Sequence, residues 1–286
     1  MSLGVISLLD HVSGDALVRS VQTMETLGYE CFWLPEVLGR EVMSTCGVLL
    51  ASTNTISIGS GIANVYVRDA HATVAARQSL CELYGQRFVL GLGVSNVGIA
   101  EMRGYAWRAP VAKLNEYLDE MAARAPDMHA ATTLGPLHIA GHGPKLQKLA
   151  ATRSDGVMTY LMSKEHTALS RERIGSEAEL SVSQMMVLEQ DAGRARALAR
   201  KAVAYYLSLD YYHREWKALG FSDKDFVDGG SDALIDMLVA WGDEKALSDR
   251  IAEHMNAGAT RVLIMPLDMN DEGLVNSPTL RALGAG

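Results

Sequence analysis

Arg87-Phe88-Val89-Leu90-Gly91-Leu92-Gly93 is the stretch on which the fold turns. It is apolar at consecutive positions, the pattern of a strand covered on both faces rather than one with a wet side. Ahead of it runs a helical pattern carrying Val74, Leu80 and Leu83 and stopping at Gly85. The same strand–helix unit repeats outward in both directions. Upstream, residues 4–9, 31–35 and 55–62 read as strands, with helices over 15–27 and 42–52 between them. Downstream, strands are expected at 137–140, 156–160, 180–188 and 261–266. Strands that alternate with helices imply a parallel sheet, and eight is the number that closes a barrel. The predicted class is α/β, a (β/α)8 TIM barrel with insertions, forming one domain over residues 1–286. An open doubly wound sheet is the competing arrangement.

The insertions are less regular. Residues 96–131 read as broken helix, with 127–133 as a surface connection, and 192–207, 233–240 and 244–255 as helices. Residues 210–230 are aromatic and charged and fit no element.

Composition narrows the function. Hydrophobic residues make up 48% and charged residues 21% of the chain, enough for a large core and opposite to the signature of disorder. A net charge of −8 repels phosphate backbones, so a nucleic-acid partner is not expected. Cys31, Cys46 and Cys81 are odd in number, lack metal or redox spacing and lie in apolar segments; they read as core side chains in a reducing compartment. No basic leader precedes Gly4, and no apolar run is long enough to span a bilayer, so a cytoplasmic protein with no membrane partner is expected.

A parallel barrel keeps its chemistry at the C-terminal ends of its strands. Gly141-His142-Gly143-Pro144-Lys145 follows the fifth strand there. Pro144 suits the first turn of a helix, whose free N–H groups attract anions. The loop is a candidate phosphate clamp or an ordinary strand–helix turn. Gly91-Leu92-Gly93-Val94-Ser95-Asn96 is a second glycine turn, without the spacing of a dinucleotide fingerprint. The eight histidines show no HExxH spacing, so no metal is expected, and most read as surface or supporting residues. His11 sits at a strand end. So does Glu36, as a ligand contact or a partly buried structural acid.

The strand ends also resemble a known family. Gly28-Tyr29-Glu30-Cys31-Phe32-Trp33-Leu34-Pro35-Glu36, Ile58-Gly59-Ser60-Gly61-Ile62-Ala63-Asn64 with Arg68, Gly85 to Ser95, and Ala140-Gly141-His142-Gly143-Pro144-Lys145 resemble, in order, the bacterial-luciferase-like superfamily of monooxygenases and deazaflavin oxidoreductases. The Trp33-to-Glu36 run and the late Gly229-Gly230-Ser231-Asp232 and Ala240-Trp241-Gly242-Asp243 segments are most similar to the group that uses coenzyme F420.

The resemblance implies a usually dimeric barrel and a set of roles. Gly61–Ile62 matches a non-prolyl cis peptide that bulges beneath the cofactor ring. Asn64 and Glu36 match positions lining that ring, Leu92, Gly93, Ser95 and Asn96 the loop beside the cofactor's side chain, and Ala140, Gly141, Gly143 and Pro144 the phosphate site. Glu36 and His11, with Tyr160, are the candidates for proton handling. Two departures stand out: Val37 and Val94 occupy positions held by a histidine and a glutamate in the sugar-phosphate-oxidising relatives, so that substrate does not carry over. His71 replaces a usual proline. The expected activity is hydride transfer between F420 and a small organic substrate. A reduced-FMN monooxygenase and a non-catalytic flavin-binding relative are the alternatives. The aromatic run Tyr205, Tyr206, Tyr211, Tyr212 and Trp216 is expected in core packing or an interface.

Overall fold

The strands follow the apolar runs. The computed structural model describes residues 2–123 and 133–284. Its strands are β1 (Ser2–Ile6), β2 (Cys31–Leu34), β3 (Ser57–Ser60), β4 (Ala63–Asn64), β5 (Phe88–Gly93), β6 (Leu137–Ala140), β7 (Gly156–Tyr160), β8 (Glu179–Leu188), β9 (Val239–Gly242) and β10 (Arg261–Pro266). All pair in parallel, and β10 pairs with both β8 and β1. That closure makes an eight-stranded barrel of β1, β2, β3, β5, β6, β7, β8 and β10 and removes the open sheet from consideration.

The shell is formed by α1 (Gly14–Thr26), α2 (Val42–Ala51), α3 (Ala70–Tyr84), α4 (Val97–Met102), α5 (Pro110–Ala123), α6 (Pro144–Arg153), α7 (Lys164–Ile174), α8 (Ala192–Val203), α9 (Asp210–Ala218), α10 (Asp232–Leu238), α11 (Glu244–Asn256) and α12 (Pro278–Leu283). Many begin where a short polar side chain accepts an otherwise unpaired N–H: Ser13 from Ala16, Asp69 from Ala72, Ser163 from His166 and Asp243 from Ala246.

Period-two alternation sorts the strand side chains into two cores. Phe32, Leu34, Phe88, Leu90, Ile139, Val157 and Val182 face the helices. Ile6, Trp33, Val89, Met158 and Leu263 fill the barrel. Trp33 fits because its register partner on β3 is Gly59; a Cβ there would lie 2.9 Å from the indole.

Two expectations change. Residues 239–240 are strand, not helix: α10 stops at Leu238, and β9 pairs with the upper end of β8 from Met185 to Leu188. Within 210–230, α9 is a helix whose Tyr212 and Trp216 pack against Leu234 and Ile235 of α10 and their neighbours in a second core. His138, His166 and His254 are buried supporting residues. The three cysteines are free and buried, as read. The connection expected at 127–133 falls, except for Thr133, outside the described residues. Among the described residues no helix is long and apolar enough to cross a membrane.

Candidate active site at the barrel mouth

Between β3 and β4 the chain leaves the ladder. Gly59 pairs with Val89 and Ala63 with Leu92, so four steps along one strand match three along its neighbour and one residue is extra, a bulge. The Gly61–Ile62 peptide within it is cis, as the resemblance implied. Ser60 covers the broken ladder: its hydroxyl donates to Gly91 O at 2.8 Å and accepts from Gly91 N at 2.9 Å. Gly61 N donates to Leu34 O and Glu36 N to Ile62 O, which fasten the bulge to the end of β2. Ile62 turns into the interior beside Ala140, and a Cβ on Gly93 would meet it at 2.8 Å.

Glu36 lies under the bulge, 3% exposed. Arg68 grips it with both terminal nitrogens, and Glu36 Oε2 also accepts Asn64 N at 2.8 Å. Arg68 is shared with Glu41. Of the two readings open for Glu36, this geometry favours the structural acid, since both oxygens are taken up within the protein. Asn64 is 1% exposed; its Oδ1 accepts Tyr66 N, while its Nδ2 has no partner. A buried donor without an acceptor points to a ligand group.

The second glycine loop follows β5, the strand that pairs with β4 beside the bulge. Ser95 adopts φ +60°, a strained conformation for a non-glycine residue and one that gathers at functional sites. Asn96 caps α4 through Ile99 N and accepts the Tyr205 hydroxyl at 2.9 Å. Leu92 packs its side chain in the shell core, so it can meet a ligand only through its backbone.

At the end of β6, Gly141 has no room for a side chain: a Cβ would approach Leu146 Cβ to 2.7 Å. Gly143 is the N-cap of α6, with no side-chain cap, and Pro144 occupies the first turn. The first N–H groups of α6 thus receive no side-chain cap from Gly143, an arrangement that suits an anion. Glu215, from α9, stands at that end: a Cβ on Gly143 would be 3.4 Å from its Oε1. His142 Nε2 accepts Tyr160 N at 3.1 Å, which puts the imidazole proton on Nδ1; burial lowers its pKa to about 3.

The aromatic insert roofs this corner. Tyr160 OH lies 3.0 Å from Tyr206 OH and 3.0 Å from Met265 Sδ. Burial pushes both phenols up, Tyr160 well above its ordinary value, so they remain donors. His11 is exposed on the turn after β1.

The bulge, Glu36, Asn64, Gly93, Ser95 and the Gly141–Pro144 loop thus meet at one mouth. Tyr206 and Glu215 carried no strand-end signal; only the aromatic run that includes Tyr206 marked their region.

The chain has known relatives. Residues 1–261 match the family model described as luciferase-like monooxygenase. A 5,10-methylenetetrahydromethanopterin reductase from Methanolobus tindarius is 24% identical over 298 residues, covering 87% of this chain and 89% of that one. A putative coenzyme F420-dependent oxidoreductase from Mycobacterium tuberculosis is 22% identical over 307 residues, covering 85% and 88%. Among solved structures, an F420-dependent secondary alcohol dehydrogenase in complex with an F420–acetone adduct superposes with a TM-score of 0.78 over 99% of this chain and 98% of its own, at 14% identity. The chain belongs to the luciferase-like monooxygenase family of oxidoreductases.

Proposed function

We propose that the protein binds the deazaflavin F420 at the barrel mouth and is an oxidoreductase acting on a small organic molecule. The observation that carries this is the orphaned Asn64 Nδ2 beside the Gly61–Ile62 bulge, a buried donor with no partner in the protein. The capless N-terminus of α6 supplies the matching anion site for the cofactor's phosphate. Bound there, a deazaflavin supplies hydride transfer; the barrel supplies position and electrostatics.

In this reading the bulge and Ile62 support the ring, Asn64 donates to its polar edge, and Gly93, Ser95 and Asn96 flank the side chain. Ala140, Gly141, Gly143 and Pro144 leave space at the phosphate. Glu36 positions Asn64 and Arg68, and Tyr160 is the better-placed proton carrier than Glu36 or His11. The family also accommodates reduced FMN, whose single phosphate suits the same helix end. Titration of the purified protein with F420 and with FMN, followed by fluorescence, tests the assignment: submicromolar F420 binding with weak FMN binding is expected, and tight FMN binding without F420 binding reverses it. Light scattering on the same sample tests the homodimer that belongs to this reading.

A further inference from the structure

Behind the glycine loop that follows β6, the packing between α6 and α7 is polar where shell helices ordinarily bury an apolar stripe. Gln147, His166 and Ser170 are all buried there. Their hydrogen bonds form one chain. Arg173 donates to Gln147 Oε1 at 3.2 Å, which turns the amide nitrogen toward Ser170 Oγ at 2.7 Å and Gly141 O at 3.4 Å. Ser170 Oγ lies 3.2 Å from His166 Nδ1. His166 Nε2 lies 3.0 Å from the His142 carbonyl oxygen, which can only accept, so the ring proton is on Nε2. Burial keeps the ring neutral, lowering its pKa to about 4.

Two successive carbonyls of the loop, Gly141 O and His142 O, are thus drawn back toward buried donors. A trans peptide sets its N–H antiparallel to its C=O, and both peptides are trans. The N–H groups of His142 and Gly143 therefore point the other way, and neither donates to a backbone carbonyl among the described residues. They join the uncapped N–H groups at the start of α6. The loop is pinned on its β7 side too: Gly141 N donates to Met158 O, and His142 Nε2 accepts Tyr160 N. It cannot turn the His142 carbonyl toward an anion without breaking a buried hydrogen bond.

We infer that His166 is a positioning residue for the cofactor's phosphate: its Nε2–H holds the His142–Gly143 peptide so that the Gly143 N–H is presented to the anion. His166 acts through the loop and not by contact with the phosphate. The inference rests on the phosphate site proposed above. Lys145, exposed on the first turn of α6, and Glu215 bring charge to the same corner. Replacing a neutral His166 leaves those charges in place, so the test reads geometry.

FMN and riboflavin differ by the phosphate alone. The ratio of their affinities for the full-length protein, from fluorescence titration, therefore isolates the contribution of the loop. Wild type is expected to prefer FMN. His166→Leu should shrink that preference by about 3–10-fold, the net size of one hydrogen bond, with riboflavin unchanged. His166→Gln, which carries an N–H close to the position of Nε2, should restore it. In 15N-labelled protein, inorganic phosphate should shift the Gly143 amide resonance in wild type and His166→Gln, and less in His166→Leu. A general folding defect weakens both flavins and leaves their ratio alone. A His166→Leu ratio equal to that of wild type, or a His166→Gln variant as impaired as His166→Leu, overturns the inference and leaves the phosphate site standing. Equal binding of FMN and riboflavin by wild type, with a Gly143 amide indifferent to phosphate, removes the site and the inference together. A preference for FMN that depends on His166, in protein that binds no F420, overturns the choice of deazaflavin alone.

Discussion

Glu215 is the residue whose role is least visible from the chain and most consequential in the fold. It brings a carboxylate to the N-terminus of α6, where Gly143 offers no cap of its own. Its side chain is 12% exposed, and its nearest cation is Arg214 at 3.5 Å. A phosphate arriving at that helix end meets this charge. Glu215→Gln should tighten FMN binding by roughly 3–10-fold, the range of a partly exposed charge near a helix end. Riboflavin, which lacks the phosphate, should bind unchanged; equal effects on both ligands would remove the electrostatic account. Arg68 is the opposite case. Arg68→Met strands the Glu36 carboxylate, and the loss should be about 3–5 kcal/mol in urea unfolding, because a buried charge is left without its partner. Glu36 could be found from the sequence because it follows an apolar strand, and Asn64 through the family resemblance. Glu215 could not: it reaches the mouth from a helix far along the chain.

At the scale of elements, the glycines separate interior from shell. Gly59 makes room for Trp33, and a Cβ on Gly91 would come within 2.1 Å of the Ser60 carbonyl oxygen. The first neighbour is a side chain; the second is backbone already committed to the bulge. Gly59→Ala should therefore cost about 1–3 kcal/mol, the usual range for overpacking, and Gly91→Ala more. Equilibrium unfolding of the two variants checks the order, and altered emission of Trp33 should accompany the first. The eight barrel strands were readable because parallel strands are apolar throughout. The end of α10 was not: Leu238, Val239 and Ala240 continue an apolar pattern that helix and strand share, and only pairing with β8 decides between them. The segment 210–230 was opaque because its apolar residues serve a satellite core built from α8, α9 and α10, which has no counterpart in the repeating unit.

Across the whole molecule, buried histidines couple stability to pH. Burial, the leading cause for both, lowers His166 to about 4 and His254 to about 4. His254 is held between Thr167 and Gln184, and His166 between the His142 carbonyl and Ser170. Their folded values lie below the unfolded value near 6.5. The unfolded chain thus binds more protons in that interval, and the stabilisation is fully present above pH 6.5 and lost as pH falls toward 4. The loss should be on the order of 2–3 kcal/mol for each residue. Urea midpoints between pH 7 and pH 4 should fall accordingly, and the slope should be shallower in His254→Gln. A pH-independent midpoint would contradict the neutral, bonded state of these rings.

The length of β8 also has a consequence for how the molecule comes apart. Its lower half is clasped by β7 and β10, and its upper end by β9. The aromatic roof is therefore not a flap on a hinge but a graft whose root is a barrel stave. Amide hydrogens of β9 should exchange with solvent on the timescale of barrel opening, whereas those of α9, which is joined to no strand, should exchange through smaller, independent openings.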